Sequence, residues 1–298
     1  MFKSGFGAII GRTNVGKSTL LNSLVGEKVA IMANKPQTTR TAIKAIVNNE
    51  NSQIIFIDTP GIHKPKSKLG EVLNETAFKT LLEVDFILFL VEATSNEIGK
   101  GDLLILDKLK EANKKVILVI NKIDLIKKTK LLELIDMYKE TYPYEAVVPI
   151  SSINGKGTRE LINEIEKILP EGPAYYDKEE YTDQTIRQLA EEIIREKALR
   201  LLQDEVPHGI YVEAQTMKKR KSKNGNSIFD IDVIIYCLRN SHKGIIIGKD
   251  GGMLKKIGTY AREDIEKMLE SKVNLKIWVK VKEDWLNDVS IVKKFKLE

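Results

Sequence analysis

Apolar residues along the first 170 positions fall into two alternating patterns. Short continuous apolar runs at 6–10, 42–47, 53–57, 86–91, 116–120 and 146–150 have the length of buried strands. Between most of them lie stretches with apolar residues at helical spacing: 18–25, stopped by Gly26, then 102–112, 131–142 and 157–169. The runs at 42–47 and 53–57 are joined by a polar Asn-Asn-Glu-Asn turn. Strand–helix alternation of this kind predicts an α/β fold with a mostly parallel sheet covered on both faces by helices. The segment 27–41 is too irregular for an element and long for a connection in such a unit, which marks it as functional.

Pro170-Glu171-Gly172-Pro173 breaks the pattern, and the following residues are polar and acidic. Beyond them, Asp183 can cap a helix to Leu202 with Ile186, Leu189, Ala190, Ile193, Ile194 and Ala198 on one face. Strands follow at 210–217 and 228–238 around a basic loop, 218–226. Helical residues then flank 248–251 and run to Leu269, and a last strand covers 273–281. In the second strand Cys237 alternates in phase with Phe229, Ile231, Val233 and Ile235, so it reads as core. The division is therefore an α/β domain at 1–170, a linker at 171–182 and an α+β domain at 183–298.

Composition narrows the class. With 298 residues, 42% hydrophobic and 30% charged, the chain reads as soluble, globular and two-domained. No apolar run approaches the roughly 18 residues needed to span a bilayer. The opening Met1-Phe2-Lys3-Ser4 leads straight into a strand and leaves no room for a signal peptide. A single cysteine excludes a disulfide framework or a cysteine metal site, and the cytosol is the expected compartment. Net charge is +6. The basic excess is concentrated in 215–256, which holds roughly seven more basic than acidic residues, an electrostatic footprint for nucleic acid.

Gly11-Arg12-Thr13-Asn14-Val15-Gly16-Lys17-Ser18, followed by Thr19, fits Gly-x-x-x-x-Gly-Lys-[Ser/Thr] between a strand and a helix. In that setting backbone N–H groups wrap a di- or triphosphate at a helix N-terminus. Lys17 reaches the β and γ phosphates, and the Ser18 hydroxyl ligates Mg²⁺. Asp58-Thr59-Pro60-Gly61 ends a strand at the edge where such sheets carry ligand chemistry. Asp58 would hold Mg²⁺ through water, and the Gly61 N–H would contact the γ-phosphate. Thr39 would reach the metal only in the triphosphate state, so the loops around Thr39 and Gly61 should change with the nucleotide. Asn121-Lys122-Ile123-Asp124 supplies a buried carboxylate, Asp124, that accepts two guanine donors absent from adenine. It should reject ATP by about 10⁴-fold or more. Asn121 would tie this loop to the phosphate loop, the Lys122 stem would cover the base, and Ser151-Ser152 would offer the Ser152 N–H to guanine O6. Ile62 stands where Ras-like enzymes place a water-orienting Gln, so hydrolysis is expected to be slow or to use another device.

With these residues the chain resembles the translation-factor-related GTPases and, more closely, the Era family. The motifs similar to that family are Gly-Arg-x-Asn-Val-Gly-Lys-Ser-Thr, Pro-Gln-Thr-Thr-Arg, Asp-Thr-Pro-Gly-Ile-His and Asn-Lys-x-Asp. The element order of the second half resembles its type II KH domain, and Gly248-Lys249-Asp250-Gly251 its GxxG segment, a clamp for about four nucleotides of single-stranded RNA. The resemblance implies a GTP/GDP switch with Mg²⁺ that hydrolyses GTP slowly. It implies binding near the 3′ end of small-subunit ribosomal RNA and a role in 30S assembly. It further implies a cytoplasmic monomer with peripheral inner-membrane association. The RNA side would use Lys218, Lys219, Arg220, Lys243, Gly248, Lys249, Asp250, Gly251 and Lys255, and Asn14 resembles the K⁺-binding Asn of potassium-stimulated relatives. Two residues depart from the pattern: Thr13 replaces a usual proline, and Asp250 puts a carboxylate where RNA phosphate approaches.

The alternative is a membrane-associated or cell-cycle switch whose KH domain recruits a protein. A metabolic P-loop kinase is disfavoured by Asn121–Asp124 and Ser151-Ser152. His63, in the loop after Gly61, is expected to be structural or solvated and not a general base. Trp278 and Trp285 are expected to be core or docking residues.

Overall fold

The structure, a computed structural model, describes residues 1–30, 43–59, 67–221, 225 and 227–292. They divide into two compact units, one from the described residues of 1–183 and one from Gln184–Ile291.

The first unit is built on β1 (Lys3–Ile10), α1 (Lys17–Val25), β2 (Ile43–Asn48), β3 (Ser52–Asp58), α2 (Lys68–Glu83) and β4 (Phe86–Glu92). It continues with α3 (Lys100–Ala112), β5 (Lys115–Asn121), α4 (Lys128–Lys139), β6 (Ala146–Pro149) and α5 (Thr158–Ile168). The sheet order is β2-β3-β1-β4-β5-β6. Only the β2–β3 pair is antiparallel. The central strands are continuous apolar runs because both faces are covered. One face packs on α1 and α5 through Leu20, Leu21, Leu161 and Ile165. The other packs on α2, α3 and α4 through Ala77, Leu81, Ile105, Leu109, Leu134 and Tyr138. The carboxyl ends of β1, β3 and β5 therefore lie along one edge of the sheet, where their loops can share a ligand.

Helix α2 is not anticipated by the sequence pattern above. Its apolar stripe, Leu69, Val72, Leu73, Ala77 and Leu81, is buried, and the Ser67 hydroxyl accepts from the Gly70 N–H as its cap. The segment read as a linker is not a free tether. Thr182 bridges Ala45, and the Ile46 N–H donates to the Tyr181 carbonyl, so the segment lengthens the β2 edge. The buried Gln53 side chain donates to the Tyr176 carbonyl at 2.8 Å and accepts the Tyr175 and Tyr176 N–H groups at 2.7 and 3.0 Å.

The second unit comprises α6 (Ile186–Leu201), β7 (Tyr211–Lys221), β8 (Ser227–Cys237), α7 (Asn240–Ile247), α8 (Gly252–Leu269) and β9 (Lys272–Val281). β7 runs antiparallel and β9 parallel to β8. Its core joins Ala190, Ile193, Ile194 and Ala198 to Val212, Ile231, Val233, Ile257, Ala261 and Ile265, with Cys237 buried among them. Three expectations need correction. Thr185, not Asp183, caps α6, in a capping box with Gln188, while Asp183 pairs with Lys44. Lys218, Lys219, Arg220 and Lys221 lie on β7, where pairing with Ser227–Asp230 extends the hairpin, and not in a loop. Trp278 is about half exposed because it occupies the β9 phase opposite the core-facing Val279, whereas Trp285 is fully buried and donates to the Gly209 carbonyl.

Candidate functional site

The phosphate loop joins β1 to α1 and depends on its glycines. Gly16 has φ 105°, and a Cβ there would sit 2.3 Å from the Asn121 amide nitrogen; a Cβ at Gly11 would sit 2.4 Å from the Leu90 carbonyl oxygen. Val15 is buried and anchors the loop in the core, while Asn14, at φ 66°, is exposed; Thr13 and Thr19 are half-buried. The Lys17 ammonium donates to the Gly11 and Arg12 carbonyls at 3.1 and 2.9 Å. Ser18 Oγ lies 3.2 Å from Asp58 Oδ2, and Thr59 Oγ1 donates to the Ile9 carbonyl at 2.9 Å. A hydroxyl and a buried carboxylate this close form the hard oxygen set that suits Mg²⁺. Thr39, Pro60, Gly61, Ile62 and His63 lie outside the described residues.

Burial pushes the Lys17 ammonium down to about 8, against the field of Asp58, which raises it. Folding thus favours neutral Lys17, so stability contributed by this group rises as pH climbs from about 8 towards 10.5. Phosphate binding needs the charged form, and its pH dependence has the opposite sign. Triphosphate affinity is expected to be level below about pH 8 and to weaken above it, approaching tenfold per pH unit. Calorimetric titrations on both sides of that value check this, and a level profile would overturn it.

The loop after β5 is wired to the phosphate loop. Asn121 is buried, donates to the Val15 carbonyl at 2.8 Å and accepts the Ser152 N–H at 3.0 Å. Lys122, in the left-handed region, reaches the Asn14 carbonyl at 2.8 Å and Glu92 at 2.5 Å. Against the effect of its own burial, Lys122 holds the Glu92 carboxyl below its ordinary value. Ser151 Oγ donates to Asp124 Oδ1 at 2.6 Å, which orients that carboxylate. Two expectations change here. Asp124 is exposed at the mouth of the site and not buried, because it sits on a short turn beyond the strand end. The Ser152 N–H is already engaged by Asn121, so it is not a free donor for a base carbonyl.

Sequence reasoning placed Arg12 in the loop but did not connect it to Asp102. Arg12 crosses to Asp102 on α3, Nε to Oδ2 at 3.1 Å, and donates to Ser95 Oγ at 3.1 Å. The basic side chain in the motif was visible; its partner, ninety residues on in a helix, carried no local signal.

In the second unit, Gly248-Lys249-Asp250-Gly251 joins α7 to α8. Gly248 (φ 74°, ψ 174°) has a backbone conformation essentially restricted to glycine, and a Cβ there would lie 2.9 Å from the Met253 nitrogen. Gly251, also at φ 74°, has open space where a Cβ would point. It precedes an eighteen-residue helix with no side-chain cap and no acid in its first turn, an end suited to an anion. Lys249, Asp250 and Lys255 are exposed and Lys243 half-buried around it. On β7, Lys218 and Lys219 are exposed, while Arg220 Nε is paired with Asp230 at 2.5 Å. That pairing offsets the Arg220 charge, which is therefore less available than the sequence suggests.

Comparison with known proteins gives the context. A family profile described as a 50S ribosome-binding GTPase matches residues 6–122, and a KH-domain profile matches residues 205–286. The chain is 51% identical over 294 residues to GTPase Era of Clostridium tetani, covering 98% of each chain. It is also 51% identical over 296 residues to GTPase Era of Clostridioides difficile, covering 99% of this chain and 98% of that one. Among solved structures, Era in complex with MgGDPNP and nucleotides 1506–1542 of 16S ribosomal RNA matches at TM-score 0.95 and 42% identity over 100% of both chains. A point variant of Aquifex aeolicus Era bound to GDP and aluminium fluoride matches at TM-score 0.94 and 41% identity, covering 99% of this chain and 100% of that chain.

Proposed function

The chain belongs to the Era family of GTPases, and we propose that it is a GTP-binding, GTP-hydrolysing switch acting in assembly of the 30S ribosomal subunit. Its KH unit binds single-stranded RNA near the 3′ end of small-subunit ribosomal RNA. The observation that carries this is Asn121, whose amide bonds the phosphate loop and the Ser152 segment at once, fixing phosphate and base subsites together. The relative solved with MgGDPNP and 16S RNA supports both halves of the reading. The domain division proposed is 1–170 for the GTPase, 171–182 for a docked linker and 183–298 for the KH domain.

In this mechanism the phosphates lie against the loop 11–18 and the α1 N-terminus, where the Lys17 ammonium leaves the loop carbonyls for the β and γ oxygens. Mg²⁺, held by Ser18 and Asp58 with Thr39 in the triphosphate state, supplies charge neutralisation between those phosphates. Asp124, oriented by Ser151, accepts guanine N1–H and N2–H. Gly61 would donate to the γ-phosphate, so the contacts of Thr39 and Gly61 are made only with the triphosphate. The protein works as a cytoplasmic monomer with peripheral membrane association; among the described residues no helix is long and apolar enough to cross a membrane.

The test measures Mg²⁺-dependent GTP hydrolysis and binding of a single-stranded oligonucleotide from the rRNA 3′ end across a salt series. RNA affinity falling steeply with salt is expected. Absence of RNA binding alongside intact GTP hydrolysis would favour the protein-recruiting alternative.

A monovalent cation is proposed to replace part of what Gln provides in Ras-like enzymes, because Ile62 cannot orient water and Asn14 stands exposed in the loop 11–18. Hydrolysis is expected to run faster in K⁺ than in Na⁺ at equal ionic strength, with Asn14→Ala erasing the difference. Equal rates in both salts would remove the K⁺ site.

A further inference from the structure

Asp102 has no part in the nucleotide scheme above, yet it sits at a junction of three elements. It is fully buried at the third position of α3, whose N-cap is Gly99. Its Oδ2 lies 3.1 Å from Arg12 Nε in the phosphate loop and 3.3 Å from the Tyr138 hydroxyl of α4. The helix start is shaped around the arginine: a Cβ at Gly99 would lie 3.0 Å from Arg12 Nη1, and one at Gly101 2.8 Å from its Cδ. Arg12 is also the residue whose carbonyl receives the Lys17 ammonium at 2.9 Å. Through Arg12, Asp102 thus braces the loop backbone on which the Lys17 ammonium rests.

We propose that Asp102 is a positioning residue for GTP binding and hydrolysis, acting through Arg12 to hold the phosphate loop in its phosphate-receiving shape. This rests on the GTPase reading. A simple helix-capping role would explain an acidic group in the first turn of α3. It does not explain why the carboxylate is wholly buried, or why two glycines make a trough for an arginine from another loop. Only Asp102 is wholly buried, while Arg12 stays about a third exposed; a carboxylate buried against such a partner is a poor route to stability, and a positioning role accounts for it better. Burial pushes the Asp102 carboxyl up, and Arg12, the Gly99 backbone and the Tyr138 hydroxyl oppose this.

The experiment measures GTP affinity, single-turnover hydrolysis and thermal midpoint for the wild-type chain, Asp102→Asn, Arg12→Gln, their double variant and Tyr138→Phe. Asp102→Asn and Arg12→Gln are each expected to weaken GTP and slow hydrolysis by about tenfold, with the double no worse than the poorer single. Tyr138→Phe, which removes only the hydroxyl from α4, should lower the midpoint and leave nucleotide constants unchanged. Losses that multiply in the double variant, or nucleotide constants that fall in step with the midpoint across all three singles, would overturn the proposal. If Asp102→Asn does not fold, Arg12→Lys decides: it keeps a cation facing Asp102 and should recover most of what Arg12→Gln loses. Equal losses in the two refute the proposal. Wild-type protein that fails to bind GTP would instead remove the GTPase reading itself.

Discussion

Asp124→Asn is expected to lower GTP affinity by about three to four orders of magnitude while raising that for xanthosine triphosphate relative to it. Among the described residues the Asp124 carboxylate carries no other structural duty. It is exposed on a short turn and held by one hydrogen bond from Ser151, so the substitution should leave the unit folded. The amide oxygen can still accept from Ser151, which turns the amide nitrogen towards the base. Guanine then meets a donor with its own N1–H and N2 amino group, whereas xanthine offers a carbonyl at that position. Leaving buried donors of a bound base without acceptors is what makes such discrimination large. Competition titrations with GTP and xanthosine triphosphate check it. Unchanged GTP affinity would detach Asp124 from base recognition, and equal loss of both nucleotides would point to a collapsed loop.

The candidate nucleotide site was legible because the residues proposed for it are written in contiguous motifs. Gly16 and Lys17 must be neighbours for the loop to turn and the ammonium to follow, and Asn121 and Asp124 must share one strand end. What stayed hidden is what meets only in three dimensions. Asp102 reads as an ordinary acid near a helix start until β1 and β4 are paired, which brings the loop after one beside the helix after the other. Gln53 reads as a polar interruption in a strand until the segment near Tyr176 folds back to satisfy it. Helix α2 is a different failure, since Leu69, Val72, Leu73, Ala77 and Leu81 carry the helical period openly. The interleaved Gly70, Asn74 and Thr76 diluted it. The period-2 logic that placed Cys237 in the core also puts Trp278 out of phase with Val279, so its exposure was available from sequence. The run of charge at 218–221 hides a strand, because strand ends that extend beyond a core carry charge freely.

The two glycines of the KH loop call for different experiments, and only one gives a clean answer. Gly248 has a backbone conformation closed to other residues, and a side chain there meets the Met253 backbone. An aspartate at that position would disturb the α7–α8 turn before any RNA arrived. Gly251 differs: its left-handed conformation is one that aspartate tolerates, and open space surrounds the missing Cβ. Gly251→Asp therefore sets a negative charge at the uncapped start of α8, where the helix field would hold it firmly in place of an RNA phosphate. RNA affinity is expected to fall about a hundredfold from that like-charge contact alone, with the salt dependence reduced by roughly one phosphate. GTP binding should be unchanged and the thermal midpoint nearly so, because the favourable placement of an acid at a helix N-terminus offsets the strain of a side chain at φ 74°. Gly251→Asn separates the two causes, since it has aspartate's size and tolerance of the left-handed region without its charge and should cost RNA affinity far less. If RNA binding survives Gly251→Asp, the exposed Lys218 and Lys219 of β7 carry the RNA and the loop between α7 and α8 is only a turn.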